Sequence, residues 1–202
     1  MEIRVLPVGL YGENTYVIRN EGHVVIVDPG GHPEIIMQQI TDDDHLEAIV
    51  LTHGHEDHVG AVDDIVNRFH CPIYLHPSDL SLVDPATASL HAFARPLTSP
   101  ITPMGNTIDV DGFHMEVMET PGHTMGSVCI FVEDVIFSGD TLFYQSIGRT
   151  DLHESDPALM RQSLKKLAAL QKDYHVLPGH GPATSLNEEK KYNYYLMHIS
   201  SF

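Results

Sequence analysis

Thr52-His53-Gly54-His55-Glu56-Asp57-His58 directly follows the compact apolar run Leu46 to Leu51. From His53 to His58, three imidazoles and one metal-capable carboxylate, Asp57, fall within six residues. The apolar run reads as a buried strand, and Val59, Val62, Ile65, Val66 and Phe69 recur downstream at helical spacing. The polar stretch is therefore a loop between a strand and a helix that begins near Val59. In an extended loop His53 and His55 point to one side and can share a cation, while Asp57 and His58, displaced along the chain, can reach a second one. Glu56 points away from such a site. Cations of borderline softness, zinc or iron, accept imidazole nitrogen and carboxylate oxygen, and a shell without thiolate leaves positions open for water.

Upstream, Ile3 to Val8, Asn14 to Arg19 and His23 to Val27 are short β-favouring runs that end at Asp28-Pro29-Gly30-Gly31, an antiparallel meander closed by a turn. Pro33 fits a first helical turn, with Ile36, Met37 and Ile40 on one face. Downstream, Ile73 to Leu75 starts a strand. The segment from His76 to Pro103 is rich in Pro, Ser, Ala and Thr, with a weak helical patch at Leu80 to Val83, and reads as a flexible excursion able to wall one side of a site. A second β-rich group follows at Ile108 to Val110, His114 to Glu119, Val128 to Val132 and Val135 to Phe137. Asp156 is a suitable N-cap, Pro157 suits the first helical position, and Met160, Leu164 and Leu167 mark a helix ending near Gln171, before a last strand at His175 to Leu177. Asn187 to Tyr195 reads as a short helix or tail. Two groups of strands, each followed by helices, predict an α+β fold, a four-layer αββα sandwich in one domain spanning residues 1–202.

Three more metal-capable residues each occupy a turn just after a strand. They are His123 in Thr120-Pro121-Gly122-His123, Asp140 in Ser138-Gly139-Asp140-Thr141 and His180 in Leu177-Pro178-Gly179-His180-Gly181. One such residue alone reads as an ordinary turn or capping group; the repeated placement makes all three ligand candidates. Of the 15 histidines, His23, His32, His45, His70, His91 and His198 read instead as scattered surface imidazoles.

Composition limits the remaining classes. Lys+Arg total 11 against Asp+Glu 28, a formal charge of -17, and that field repels nucleic acid and anionic membrane surfaces. No apolar run is long enough to cross a bilayer and no signal-peptide pattern opens the chain, so a cytoplasmic monomer or homodimer is expected. The two cysteines, Cys71 and Cys129, read as small apolar side chains in a reducing compartment.

The order of these motifs from Asp28 to His180 resembles the metallo-β-lactamase superfamily. That resemblance implies that His53, His55 and His123 bind a first metal, that Asp57, His58 and His180 bind a second, and that Asp140 bridges them. It implies two divalent cations, zinc first, with iron or manganese as alternatives. Thr120 to Ser127 and Gly139-Asp140-Thr141-Leu142-Phe143 are similar to the glyoxalase II group, and Ser146-Ile147-Gly148-Arg149-Thr150-Asp151 to its small bacterial branch. The implied reaction is hydrolysis of an acyl thioester such as S-D-lactoylglutathione by a metal-bound hydroxide. Asp57 and Asp140 are then the catalytic carboxylates, and Asp57 is first a metal ligand that can also hydrogen-bond the hydroxide and fix its orientation. Arg149 either contacts substrate or forms a structural pair with Asp151. Glyoxalase II enzymes carry a helical extension that holds glutathione, and 22 residues follow His180 here, so weak binding of glutathione esters is expected. A mononuclear iron glutathione-persulfide dioxygenase uses a similar motif set and is the first rival; a non-catalytic metal-binding protein is the second.

Overall fold

A computed structural model describes residues 1–200. The first sheet is built from β1 (Glu2–Val8), β2 (Glu13–Asn20), β3 (His23–Val27), β4 (His45–Val50), β5 (Ile73–Leu75) and β6 (Ile101–Pro103), side by side in that order. The pairs β1–β2 and β2–β3 are antiparallel, as the meander requires; pairing from β3 to β6 is parallel. The second half contributes β7 (Thr107–Val110), β8 (Phe113–Glu119), β9 (Val128–Val132), β10 (Val135–Gly139), the two-stranded ribbon β11 (Leu142–Phe143) and β12 (Ser146–Ile147), then β13 (His175–Pro178) and β14 (Thr184–Ser185). The second sheet runs β14-β13-β10-β9-β8-β7.

The two sheets face each other. Tyr16, Ile18, Val25, Val27 and Val50 of the first meet Met115, Val128, Ile130 and Phe137 of the second. Side chains alternate across a strand, so Val24 and Ile26 point to the opposite face, where they join Ile36 of α1 (Pro33–Met37) and Val62 and Ile65 of α3 (Val62–Phe69), the helix that follows α2 (Glu56–Val59). Burial on both faces explains why β3 and β4 read as continuous apolar runs. After the short α4 (Leu80–Val83), the outer face of the second sheet is covered by α5 (Pro157–Ala169), α6 (Leu186–Tyr192) and α7 (Tyr194–Met197). The result is the αββα sandwich. The start of α5 follows from its sequence: the Asp156 carboxylate accepts from the Ala158 and Leu159 amides, and Met160, Leu164 and Leu167 are all buried.

The structure departs from the sequence reading in three places. The helix after the His-rich stretch does not begin at Val59: Asp57 and His58 already lie on α2, and the chain breaks at Gly60-Ala61 before α3. The Ala61 amide is drawn off the helical path to donate to the Pro29 carbonyl at 2.9 Å, and a Cβ on Gly60 would stand 2.1 Å from the Gly30 carbonyl oxygen. The excursion from His76 to Pro103 is packed rather than loose, with Asp79, Leu82, Val83, Ala88 and Leu97 buried, and its end supplies β6. The β11–β12 ribbon was not foreseen, because two-residue strands carry no periodicity. No helix among the described residues is long and apolar enough to cross a membrane.

Candidate metal centre

All the predicted ligands lie at one end of the sandwich, beyond the last residues of β4, β8, β10 and β13. His53, His55 and His123 form a near-equilateral triangle with ring centroids 4.9, 4.9 and 4.7 Å apart, and His55 Nδ1 lies 2.9 Å from His123 Nε2. Asp57, His58 and His180 form a second group, with His180 Nε2 3.2 Å from Asp57 Oδ2; in each group the donor atoms lie within 4.8 Å of one another. Asp140 stands between them. Its Oδ1 is 3.4 Å from His58 Nε2, and its Oδ2 is 3.4 Å from His123 Nε2 and 3.7 Å from His180 Nε2.

Neighbouring groups decide which imidazole nitrogen faces this centre. The His123 Nδ1–H donates to the Arg149 carbonyl at 2.9 Å, since a carbonyl only accepts, and Nε2 is left inward. His58 Nδ1 lies 2.9 Å from Asp28 Oδ2, leaving its Nε2 inward. His55 is turned the other way: Nε2 lies 3.0 Å from Glu154 Oε1, so Nδ1 faces the centre. Asp28, His53 and His58 are also close enough to share an ion. The Asp28 carboxylate, however, already accepts from the Thr52 amide at 2.7 Å and the Thr52 hydroxyl at 2.6 Å, so its role is to hold His58 and the loop.

Burial pushes the pKa of His53, His55 and His123 down, which keeps these imidazoles neutral at pH 7 and their lone pairs free. At His58 burial opposes charge, yet the carboxylates of Asp140 and Asp28, one at each ring nitrogen, drive its pKa well up. Burial would raise the Asp140 pKa, but His58 and His123 hold that carboxyl well below the usual range. Three buried polar atoms, His53 Nε2, His58 Nε2 and Asp140 Oδ1, converge here without a hydrogen-bond partner. An unpaired buried polar group costs about 1–3 kcal/mol, so three in one place mark a site shaped for something else. Imidazole nitrogens and carboxylate oxygens with no thiolate fit divalent cations.

The fold holds the centre from several sides. Asn14 on β2 donates its amide N–H to the Gly179 carbonyl at 2.7 Å and its side-chain amide to the Pro178 and Gly181 carbonyls, which fixes the turn that carries His180. Gly179 is required by space: a Cβ would stand 2.3 Å from Asp140 Oδ1 and 2.7 Å from His58 Cε1. Asp79, from the excursion, accepts from the Gly54 amide at 2.9 Å, the Gly126 amide at 2.6 Å and the Thr124 hydroxyl at 2.7 Å, tying the His53–His58 stretch to the His123 turn. Sequence reasoning missed Glu154, Asp79 and Asn14. It also missed Asp28, although this residue, just after a strand and before Pro-Gly-Gly, has the same placement as Asp140 and could have been found by it. A cavity of about 370 Å³ opens beside His55, His123, Asp140 and His180. Arg149 lines it, bound through Nε and Nη2 to both oxygens of Asp151 at 2.7 and 2.9 Å. Glu56 is not part of its lining.

The profile of the metallo-β-lactamase superfamily matches residues 8–180. The chain belongs to the metallo-β-lactamase superfamily, a class of metal-dependent hydrolases. It is 33% identical over 208 residues to the hydroxyacylglutathione hydrolase GloC of Haemophilus influenzae, covering 97% of this chain and 98% of that protein. The crystal structure of the BLEG-1 B3 metallo-β-lactamase is similar to it with a TM-score of 0.87 at 36% identity, over 96% of this chain and 99% of that one. The structure of TTHA1623 in a di-iron-bound form matches with a TM-score of 0.83 at 38% identity, over 96% of this chain and all of the other.

Proposed function

We propose that this chain is a dinuclear metallohydrolase that cleaves acyl thioesters. The observation that carries the reading is the convergence of His53 Nε2, His58 Nε2 and Asp140 Oδ1, buried and unpaired, where two groups of donor atoms meet. In this reading His53, His55 and His123 would hold one divalent cation, Asp57, His58 and His180 would hold another, and Asp140 would be shared by both. Zinc is the first choice for an all-nitrogen and oxygen shell, with iron or manganese as alternatives. The di-iron form of TTHA1623 supports a two-ion site in a close relative. Bound divalent ions supply Lewis acidity, lowering the pKa of water and polarising a carbonyl.

The chain's own residues do the rest. Asp57, on the first turn of α2 and 3.2 Å from His180 Nε2, would also accept a hydrogen bond from water in the centre and fix its orientation. His55, His123 and His180 open onto the cavity, where the carbonyl carbon of a substrate would lie. No serine or cysteine nucleophile is needed, and a thiolate leaves without an obligatory acid. The hydrolase GloC supports the thioester assignment. The test is a panel of thioesters, β-lactams and phosphodiesters under matched metal loading: thioesters are expected to turn over fastest, and preferred turnover of a lactam or phosphodiester would replace the substrate class.

A further inference from the structure

The cavity beside the centre has walls of a distinct chemistry. Tyr11 comes from the turn between β1 and β2, Phe93 from the excursion, Phe143 and Ile147 from the ribbon, and Leu152 from the loop before α5. Glutathione carries two carboxylates, and burying them calls for cations or N–H and O–H donors that replace their hydration. Among the residues lining the cavity Arg149 is the only lysine or arginine. Its Nε and Nη2 are paired with the two oxygens of Asp151, and the guanidinium carbon lies 5.9 Å from the centre of the Phe93 ring. The Arg149–Asp151 pair is neutral as a unit. Glu154 stands behind His55, and the chain as a whole carries a charge of -17.

We infer that the group this pocket accepts beside the scissile carbonyl is uncharged and apolar, and that a thiol peptide bearing two carboxylates, such as glutathione, is disfavoured. The inference rests on the thioesterase reading for the reaction and on the walls for the preference. A carboxylate moved against Phe93, Phe143 or Leu152 would lose hydration, and none of these three side chains can replace it. A hydrocarbon chain loses nothing of the kind, and each methylene buried there strengthens binding by about fourfold. The volume of about 370 Å³ suits a chain of several carbons and lies at the small end of ligand pockets.

The experiment compares two non-hydrolysable thioethers, S-hexylglutathione and S-hexyl-N-acetylcysteamine, binding to the zinc-loaded protein by calorimetry. The uncharged ligand is expected to bind at least about tenfold more tightly. Its affinity should fall in Phe93→Ser, while Asp151→Asn, which frees Arg149 at the surface, should strengthen the glutathione ligand and narrow the gap. Equal or tighter binding of S-hexylglutathione to the unmodified protein would overturn the inference. Because no turnover is needed, this result is separate from the thioesterase reading, which fails only if hydrolysable thioesters are inert.

Discussion

Glu154 Oε1 lies 3.0 Å from His55 Nε2, and this contact turns His55 Nδ1 toward His123 Nε2, 2.9 Å away. Groups that orient a metal-binding imidazole typically contribute about 10–100-fold to metal affinity. Glu154→Ala is expected to weaken zinc binding by about that factor in competition with a chromogenic chelator. Glu154→Gln keeps a carbonyl oxygen as acceptor and should recover most of the affinity. Unchanged affinity in the alanine variant would show that His55 is held by its loop alone.

Asp79 joins the two stretches that carry the histidine triangle. Removing its carboxylate strands the Gly54 and Gly126 amides, each a buried donor worth about 1–3 kcal/mol when unpaired. Asp79→Ala should lose about 2–6 kcal/mol in urea unfolding and lower metal affinity in the same protein. A stability loss below about 1 kcal/mol would mean that water replaces the carboxylate.

Much of this arrangement was legible from residue order, for identifiable reasons. His53, His55, Asp57 and His58 are close in sequence, and His123, Asp140 and His180 share one placement, after a strand and beside a glycine, because the second sheet presents its strand ends to the same side. The inner strands were legible as apolar runs because both of their faces are covered. Asp79 and Glu154 gave no signal. Their partners are 25 and 99 residues away, and a polar residue in an irregular segment looks the same whether it faces solvent or a histidine. The break at Gly60-Ala61 was hidden because the Pro29 carbonyl that causes it lies on another element.

Asp140 touches both donor groups, whereas His180 belongs to one. Asp140→Ala should therefore fold but bring the metal content toward zero, and lower kcat/KM by more than about 100-fold. His180→Ala should keep about one ion per chain. If elemental analysis found full metal content in Asp140→Ala, the bridging role would be refuted.

The Arg19 guanidinium, bonded to both oxygens of Asp44, holds that carboxyl well below the usual carboxylate range. A depressed folded-state pKa contributes stability that is complete above the unfolded value of about 3.9 and is lost as pH falls through the folded value. Asp44→Asn should thus lower the Tm at about pH 7, and the gap from the unmodified protein should shrink progressively below about pH 4. A gap independent of pH would assign the effect to packing instead of charge. The pair lies between β2 and the turn before β4, so the metal-free protein is suitable for the measurement.

The central claim is that two ions act together on a thioester. Its most direct test is turnover of an acyl thioester by metal-stripped protein against added zinc. Two complete donor groups sharing Asp140 predict activity that climbs until two equivalents per chain are bound and then stays level. A plateau at one equivalent, or activity that appears only with iron and consumes oxygen, would contradict the dinuclear hydrolase.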